Sequence, residues 1–515
     1  MDGATLTIAP GAELRFVANI GLYIGRDGAG GQLLAEGTAD HPIRMHGAAL
    51  SGRGTWTGII IEAATTESRL AELTIEDAGG MYADAALFVD DVDIRVNNVG
   101  IHHVEDAGFK LLHGARFSAG SAGLVVDDAP IPGWIEAANA DSIPLSGLSL
   151  TGNDDAELYV EGGDVDHDAT WTDLGVPYFV QGELRVEGTT SAATLTLGAG
   201  TEVVMASNTG IYVGYEGGPG GFITAGTEAS PVILRGTSEQ RGLWTGVRYY
   251  DTTVDAKASL TWTEISDAGG MYSESALFVE EATLKVDHVT LRGAENAGFQ
   301  LAASAKFDAA STELLVTGCE VSGDVRLFGV ASIPEMGDYV GNDLNAVMID
   351  GDSTVDKSAT WGDLGVPYEL LTDVQVRSAT GPAPVLTLEA GVVLAFANNR
   401  GLYVGNGDAG GLMANGTALA PVVFTGTAEQ TGAWTGILLK PDLIDASTVL
   451  THVDIGYAGG MYSDANVTID GSSPTISNAF VHHAEGFGII INSGSPTLQT
   501  VTYQGNTSGD LQDDR

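Results

Sequence analysis

The chain holds one cysteine, Cys319, among 515 residues. A single thiol cannot close an internal disulfide, so the fold must stand on packing alone. Bases are scarce: 22 Lys and Arg face 68 Asp and Glu, a formal charge of −46. That balance repels nucleic acid and anionic membrane, and no basic stripe offsets it, so no nucleic-acid partner is expected. The acids are dispersed rather than gathered in a tail, which fits a solvated surface, cation binding or a salty medium. No run of ~18 apolar residues exists, so this segment is not expected to insert in a membrane. A signal-peptide pattern is also missing, with Met1-Asp2-Gly3 leading straight into a strand-like run. No window sustains a 3.6-residue apolar period between caps, which argues against helices.

What is present is repetition. Asp77-Ala78-Gly79-Gly80-Met81-Tyr82 returns as Asp267-Ala268-Gly269-Gly270-Met271-Tyr272 and as Tyr457-Ala458-Gly459-Gly460-Met461-Tyr462. The interval is 190 residues both times (267 − 77 and 457 − 267). Other blocks recur with it. Trp56-Thr57-Gly58-Ile59 matches Trp244-Thr245-Gly246-Val247 and Trp434-Thr435-Gly436-Ile437. Leu174-Gly175-Val176-Pro177-Tyr178 matches Leu364-Gly365-Val366-Pro367-Tyr368. These passages divide the chain into residues 1–178, a unit lacking its opening, 179–368, a complete unit, and 369–515, a unit lacking its close. No Pro- or Ser-rich linker separates them, so one continuous solenoid is expected.

Runs of three to six residues rich in Val, Ile, Leu, Thr and Tyr alternate with Gly, Asn, Asp and Pro. A unit of this length is too long for a propeller blade of ~40–50 residues, and strand-like runs every ~20–30 residues match the rungs of a β-solenoid. Ile75-Glu76-Asp77-Ala78-Gly79 resembles Val104-Glu105-Asp106-Ala107-Gly108, which reads as one long rung with a protruding loop. The expected fold is all-β: a right-handed parallel β-helix of about twenty rungs, ~4.8 Å apart, built from three tandem units. The blocks from Gly31 to Ile43, Trp56 to Ile59 and Leu174 to Leu197 resemble the parallel β-helix repeat proteins of bacterial surfaces and secretions, the pectin-lyase-like superfold. That resemblance implies an extracellular or cell-surface setting. It implies no single activity, because the superfold carries lyases, glycosidases, epimerases, tail spikes and adhesins.

Repeated acids and aromatics are the candidate site residues. Tyr82, Tyr272 and Tyr462 follow the Gly-Gly pair, and Asp84, Glu274 and Asp464 stand two residues further on, a pattern suited to a sugar platform. If the long rung is right, Glu76 and Asp77 lie one rung from Glu105 and Asp106. Carboxylates ~5 Å apart either bind a cation, with Ca²⁺ the candidate, or raise each other's pKa. The bland alternative is turn acids bonding nearby backbone amides. His102-His103 and His482-His483 sit at matching places, and neighbours on a strand point to opposite faces, so neither pair should chelate one metal. Trp56, Trp244 and Trp434 are expected to pack at rung corners.

No asymmetric acid–base arrangement, nucleophile elbow, P-loop or zinc spacing appears. The reading is therefore a non-catalytic surface module: a rigid scaffold, adhesin or polysaccharide-binding stalk with repeated loop sites. Its partners would be a polysaccharide or another cell-surface protein, with no cofactor required. The alternatives are a polysaccharide lyase or glycoside hydrolase working along one flank, and a filament that self-associates end to end.

Overall fold

The structure, a computed structural model, describes residues 3–26, 30–48, 52–62, 66–81, 83–270 and 273–515. It is nearly all-β, 50% strand and 3% helix, and its parallel sheets make a β-solenoid of about 19 turns. The chain divides into two compact units, residues 1–238 with 252–264, and residues 239–251 with 265–515.

Alternation along each strand builds both units. In the first, Ile61, Val89, Leu111, Ile135, Val160, Val180 and Met205 stack in register on successive rungs. All seven are fully buried. In the second, Val279, Leu301, Val325, Ile349, Leu370 and Phe396 form the same kind of file. Each such side chain contributes roughly 1.5–3 kcal/mol by leaving water, which is how a chain with a lone buried thiol stands without disulfides. The residue before each core position points outward.

The corners explain much of the repeated polar pattern. At one corner Asp77, His103, Asp128 and Gly152 of consecutive rungs have φ of 61°, 54°, 54° and 87°. Asp267, Gly293, Gly318 and Gly341 occupy the same corner in the second copy (63°, 66°, 69°, 85°), and Tyr457, His483 and Gly505 in the third (66°, 50°, 64°). Left-handed backbone favours Gly on steric grounds and Asn, Asp and His among the other residues, which accounts for most of this corner, Tyr457 excepted. Arg53 ties this corner together by bonding Asp128 and, at 2.6 Å, Asp154; Arg241 does the same at 2.6 Å from Asp343. The guanidinium beside Asp154 holds its carboxyl below the usual carboxylate range.

Two expectations about register change. Ile75 pairs with Ile101 rather than Val104, so Glu76 lies beside His102. The echo of Glu-Asp-Ala-Gly reflects shared turn chemistry, not stacking: Ala107 pairs with Ala85 instead of Ala78. The polar C-terminal stretch holds a strand, Gly509–Asp513, paired with Phe487–Ile491. Backbone pairing there does not require apolar side chains.

Candidate functional site: an outward aromatic file and the repeated loop

The repeated loop is first a piece of architecture. Trp56, Trp244 and Trp434 are fully buried. Each indole Nε1 donates to a backbone carbonyl: Glu76 at 2.7 Å, Ser266 at 2.8 Å and Gly456 at 2.9 Å. Gly80, Gly270 and Gly460 donate back to the Trp carbonyls at 3.0, 3.1 and 2.9 Å. A Cβ at those glycines would sit 2.3, 1.7 and 2.5 Å from the carbonyl oxygens of Gly54, Gly242 and Gly432. The preceding glycines have φ of 85°, 80° and 93°. One glycine of each pair therefore serves a left-handed bend and the other a close backbone approach. The Trp expectation holds.

The loop's polar residues are dispersed. Asp84, Glu274 and Asp464 are all exposed, and Tyr462 is 67% exposed. Tyr82 and Tyr272 lie outside the described residues. Tyr403, on the strand Gly401–Val404, is near enough to Tyr462 for the two phenols to interact electrostatically. The four acids read as a Ca²⁺ set do not converge. Glu76 bonds Arg44 at 2.7 Å, and Asp77 bonds His103 at 2.8 Å. Asp106 instead has Asp84 and Glu105 for neighbours; burial first, then those two charges, pushes its carboxyl up, while Lys110 pulls the other way. Among the described residues no three His, Cys, Asp or Glu side chains are placed to hold one metal ion.

One histidine pair, His482 and His483, departs from the opposite-faces expectation. His103 and His483 take the left-handed corner conformation, which turns the chain between neighbours. In the third copy this brings the Nδ1 atoms of His482 and His483 to 2.7 Å, with His482 Nε2 2.8 Å from Asp454 and Tyr457 stacked on His483. In the first copy the rings separate, His102 to Asp127 at 2.7 Å and His103 to Asp77.

A different arrangement is the more distinctive. In the first unit the outward positions Tyr23, Ile60, Phe88, Lys110, Trp134, Tyr159, Phe179, Val204 and Arg235 form one in-register file. Eight steps of ~4.8 Å make it about 38 Å long. Its middle is aromatic. Trp134 lies 5.7 Å from Tyr159, which lies 4.9 Å edge-on from Phe179. Lys110 covers the indole at 4.7 Å and reaches Asp84 at 3.4 Å. Polar groups flank the row. Tyr159 donates to Asp155 at 2.9 Å, and its phenol is pushed up to about 12, by burial first and that bond second. Burial also raises Glu157. Near the start, Arg26 stacks on Tyr23 at 4.4 Å, beside a cleft of about 260 Å³ that Phe88 and Asp84 also line. Thus Asp84, a loop residue, borders the file.

The middle of this file is not repeated. The positions of Lys110, Trp134, Tyr159 and Phe179 are filled in the second by Gln300, Asp324, Met348 and Glu369. In the third, Ile490 and Gln512 stand where Lys110 and Trp134 do. The repeat carries only what the copies share, so a copy-specific row is not legible in it. The available signal was aromatic residues at non-core parity that break the repeat. Compared with family models and with curated proteins, the sequence matches none.

Proposed function

We propose that the chain is a non-catalytic, secreted or cell-surface β-solenoid scaffold that holds a linear polysaccharide along the outward aromatic file of its first unit. The observation that carries this reading is the row Lys110, Trp134, Tyr159 and Phe179, in register on consecutive rungs after Phe88 and replaced in the second copy, where only Phe88 keeps a counterpart, Phe278. Buried aromatics stabilise a core; partly exposed ones in a line, not needed by an equivalent stretch of the same fold, need another explanation. The C–H face of a pyranose is apolar and lies against an aromatic face, while its hydroxyls reach flanking carboxylates such as Asp106, Asp155 and Glu157. A file of several such platforms favours a polymer over a single sugar, because weak contacts on one chain add as effective concentration.

The test is gel retardation in a panel of immobilised linear polysaccharides (β-glucan, xylan, mannan, alginate). Wild type is expected to be retarded by at least one. The variant Trp134→Asp/Tyr159→Met/Phe179→Glu borrows its residues from the second copy, so the fold already accommodates them. It is expected to lose retardation, since central aromatic anchors each contribute about 2 kcal/mol or more. Equal retardation of both proteins, or none with any polymer, would remove the proposal.

A further inference from the structure

Most arginines in this acid-rich chain find carboxylates. Arg44 pairs with Glu76, Arg53 with Asp128 and Asp154, Arg116 with Asp141, and Arg241 with Asp343. Arg248 is different. It is only 9% exposed, yet its bonded partners are neutral. Nε donates to the Tyr250 hydroxyl at 2.9 Å and Nη1 to the Ser273 hydroxyl at 2.6 Å. One face of the guanidinium lies 4.1 Å from the Phe278 ring centroid. Among the described residues, no carboxylate pairs with it and Nη2 has no partner.

The fold does not ask for this arginine. The matching rung position carries Ile60 in the first copy and Leu438 in the third. Two residues on, Tyr250 stands where those copies have Glu62 and Lys440. Ser273 is held in place by its own bond to the Ser275 carbonyl at 2.6 Å. A desolvated cation without a counter-charge is a costly thing to build. An arriving oxyanion offsets that cost and finds a planar donor fork already fixed by a ring and two hydroxyls.

We infer that Arg248, fixed by Phe278, Tyr250 and Ser273, is a binding site for an oxyanion: a carboxylate, sulfate or phosphate group. This proposal and that of the aromatic file use different residues, and neither rests on the other. The test follows the melting temperature of the full chain against sodium acetate, sulfate and phosphate, each at constant ionic strength made up with chloride. Sulfate and phosphate stabilise proteins generally by exclusion from their surfaces, without saturation, so the comparison is with Arg248→Leu, which installs the third copy's residue.

Wild type is expected to show a saturating rise with at least one anion, following mass action. Apparent affinity should fall about tenfold or more in Arg248→Leu, the loss of one charge-assisted contact. Arg248→Lys, which keeps the charge without the fork, should lie between. Saturation with acetate alone identifies a carboxylate ligand; saturation with sulfate or phosphate identifies the corresponding ester. Identical curves for wild type and Arg248→Leu in all three anions, or no saturating rise in wild type, would overturn the inference. Should Arg248→Leu fold poorly, the Arg248→Lys curve decides the question by itself.

Discussion

Gly270→Ala is expected to destabilise the protein by about 3 kcal/mol or more, among the largest effects any single methyl could have here. The added Cβ would lie 1.7 Å from the Gly242 carbonyl oxygen and 2.4 Å from its carbon, both backbone atoms of the neighbouring rung. A flexible side chain could swing aside, but the Gly242 backbone, a turn tied by its N–H to the Ala268 carbonyl at 3.2 Å, cannot do so without breaking that bond. Gly365→Ala is the natural control. Its φ is 72° and nothing lies within 4 Å of the new Cβ. Its cost is the left-handed conformation alone, about 1–2 kcal/mol. Urea unfolding of the two variants beside wild type checks the ordering. Comparable losses for both would mean that the close approach behind Gly270 is not the reason for the repeated Gly-Gly.

Trp244→Ala should be as damaging. Removing a fully buried indole costs about 3–5 kcal/mol through lost burial and the cavity left behind. It also strands the Ser266 carbonyl that Nε1 now satisfies at 2.8 Å, a further penalty of about 1–3 kcal/mol. Trp134→Ala should behave otherwise. That ring is only partly buried, and its Nε1 already lacks a partner, so no hydrogen bond is lost and the change should stay near 1 kcal/mol. Denaturation midpoints of the two variants check this contrast. If Trp134→Ala proves as costly as Trp244→Ala, Trp134 belongs to the stability of the rung and the reading of it as a ligand platform weakens.

These contrasts mark what could be read from the sequence. The Trp, Gly-Gly and apolar positions recur because every rung meets the same packing demand, so their spacing carried the fold class directly. The turn acids recur for a second reason, the left-handed corner occupied by Asp77, His103 and Asp128. That corner chemistry produced the false echo between Ile75 and Val104, and it undid the simple alternation argument for His482 and His483. Register decides which side chains meet, and register was not legible, because rungs differ in length wherever a loop leaves the solenoid. Phe88, Trp134, Tyr159 and Phe179 are unevenly spaced in the chain and become a line only when Phe88 is set beside Lys110, and Trp134 beside Tyr159. Arg248 was invisible for a related reason. A buried arginine stands out by its partners, and those come from strands and loops that sequence distance does not connect.

The most direct measurement is hydroxyl-radical footprinting with and without whichever polysaccharide retards the wild-type protein. The aromatic-file account expects protection of Trp134, Tyr159 and Phe179, while Met348, which fills the Tyr159 position in the second copy, stays equally reactive. Protection missing from the first three, or matched at Met348, would contradict it.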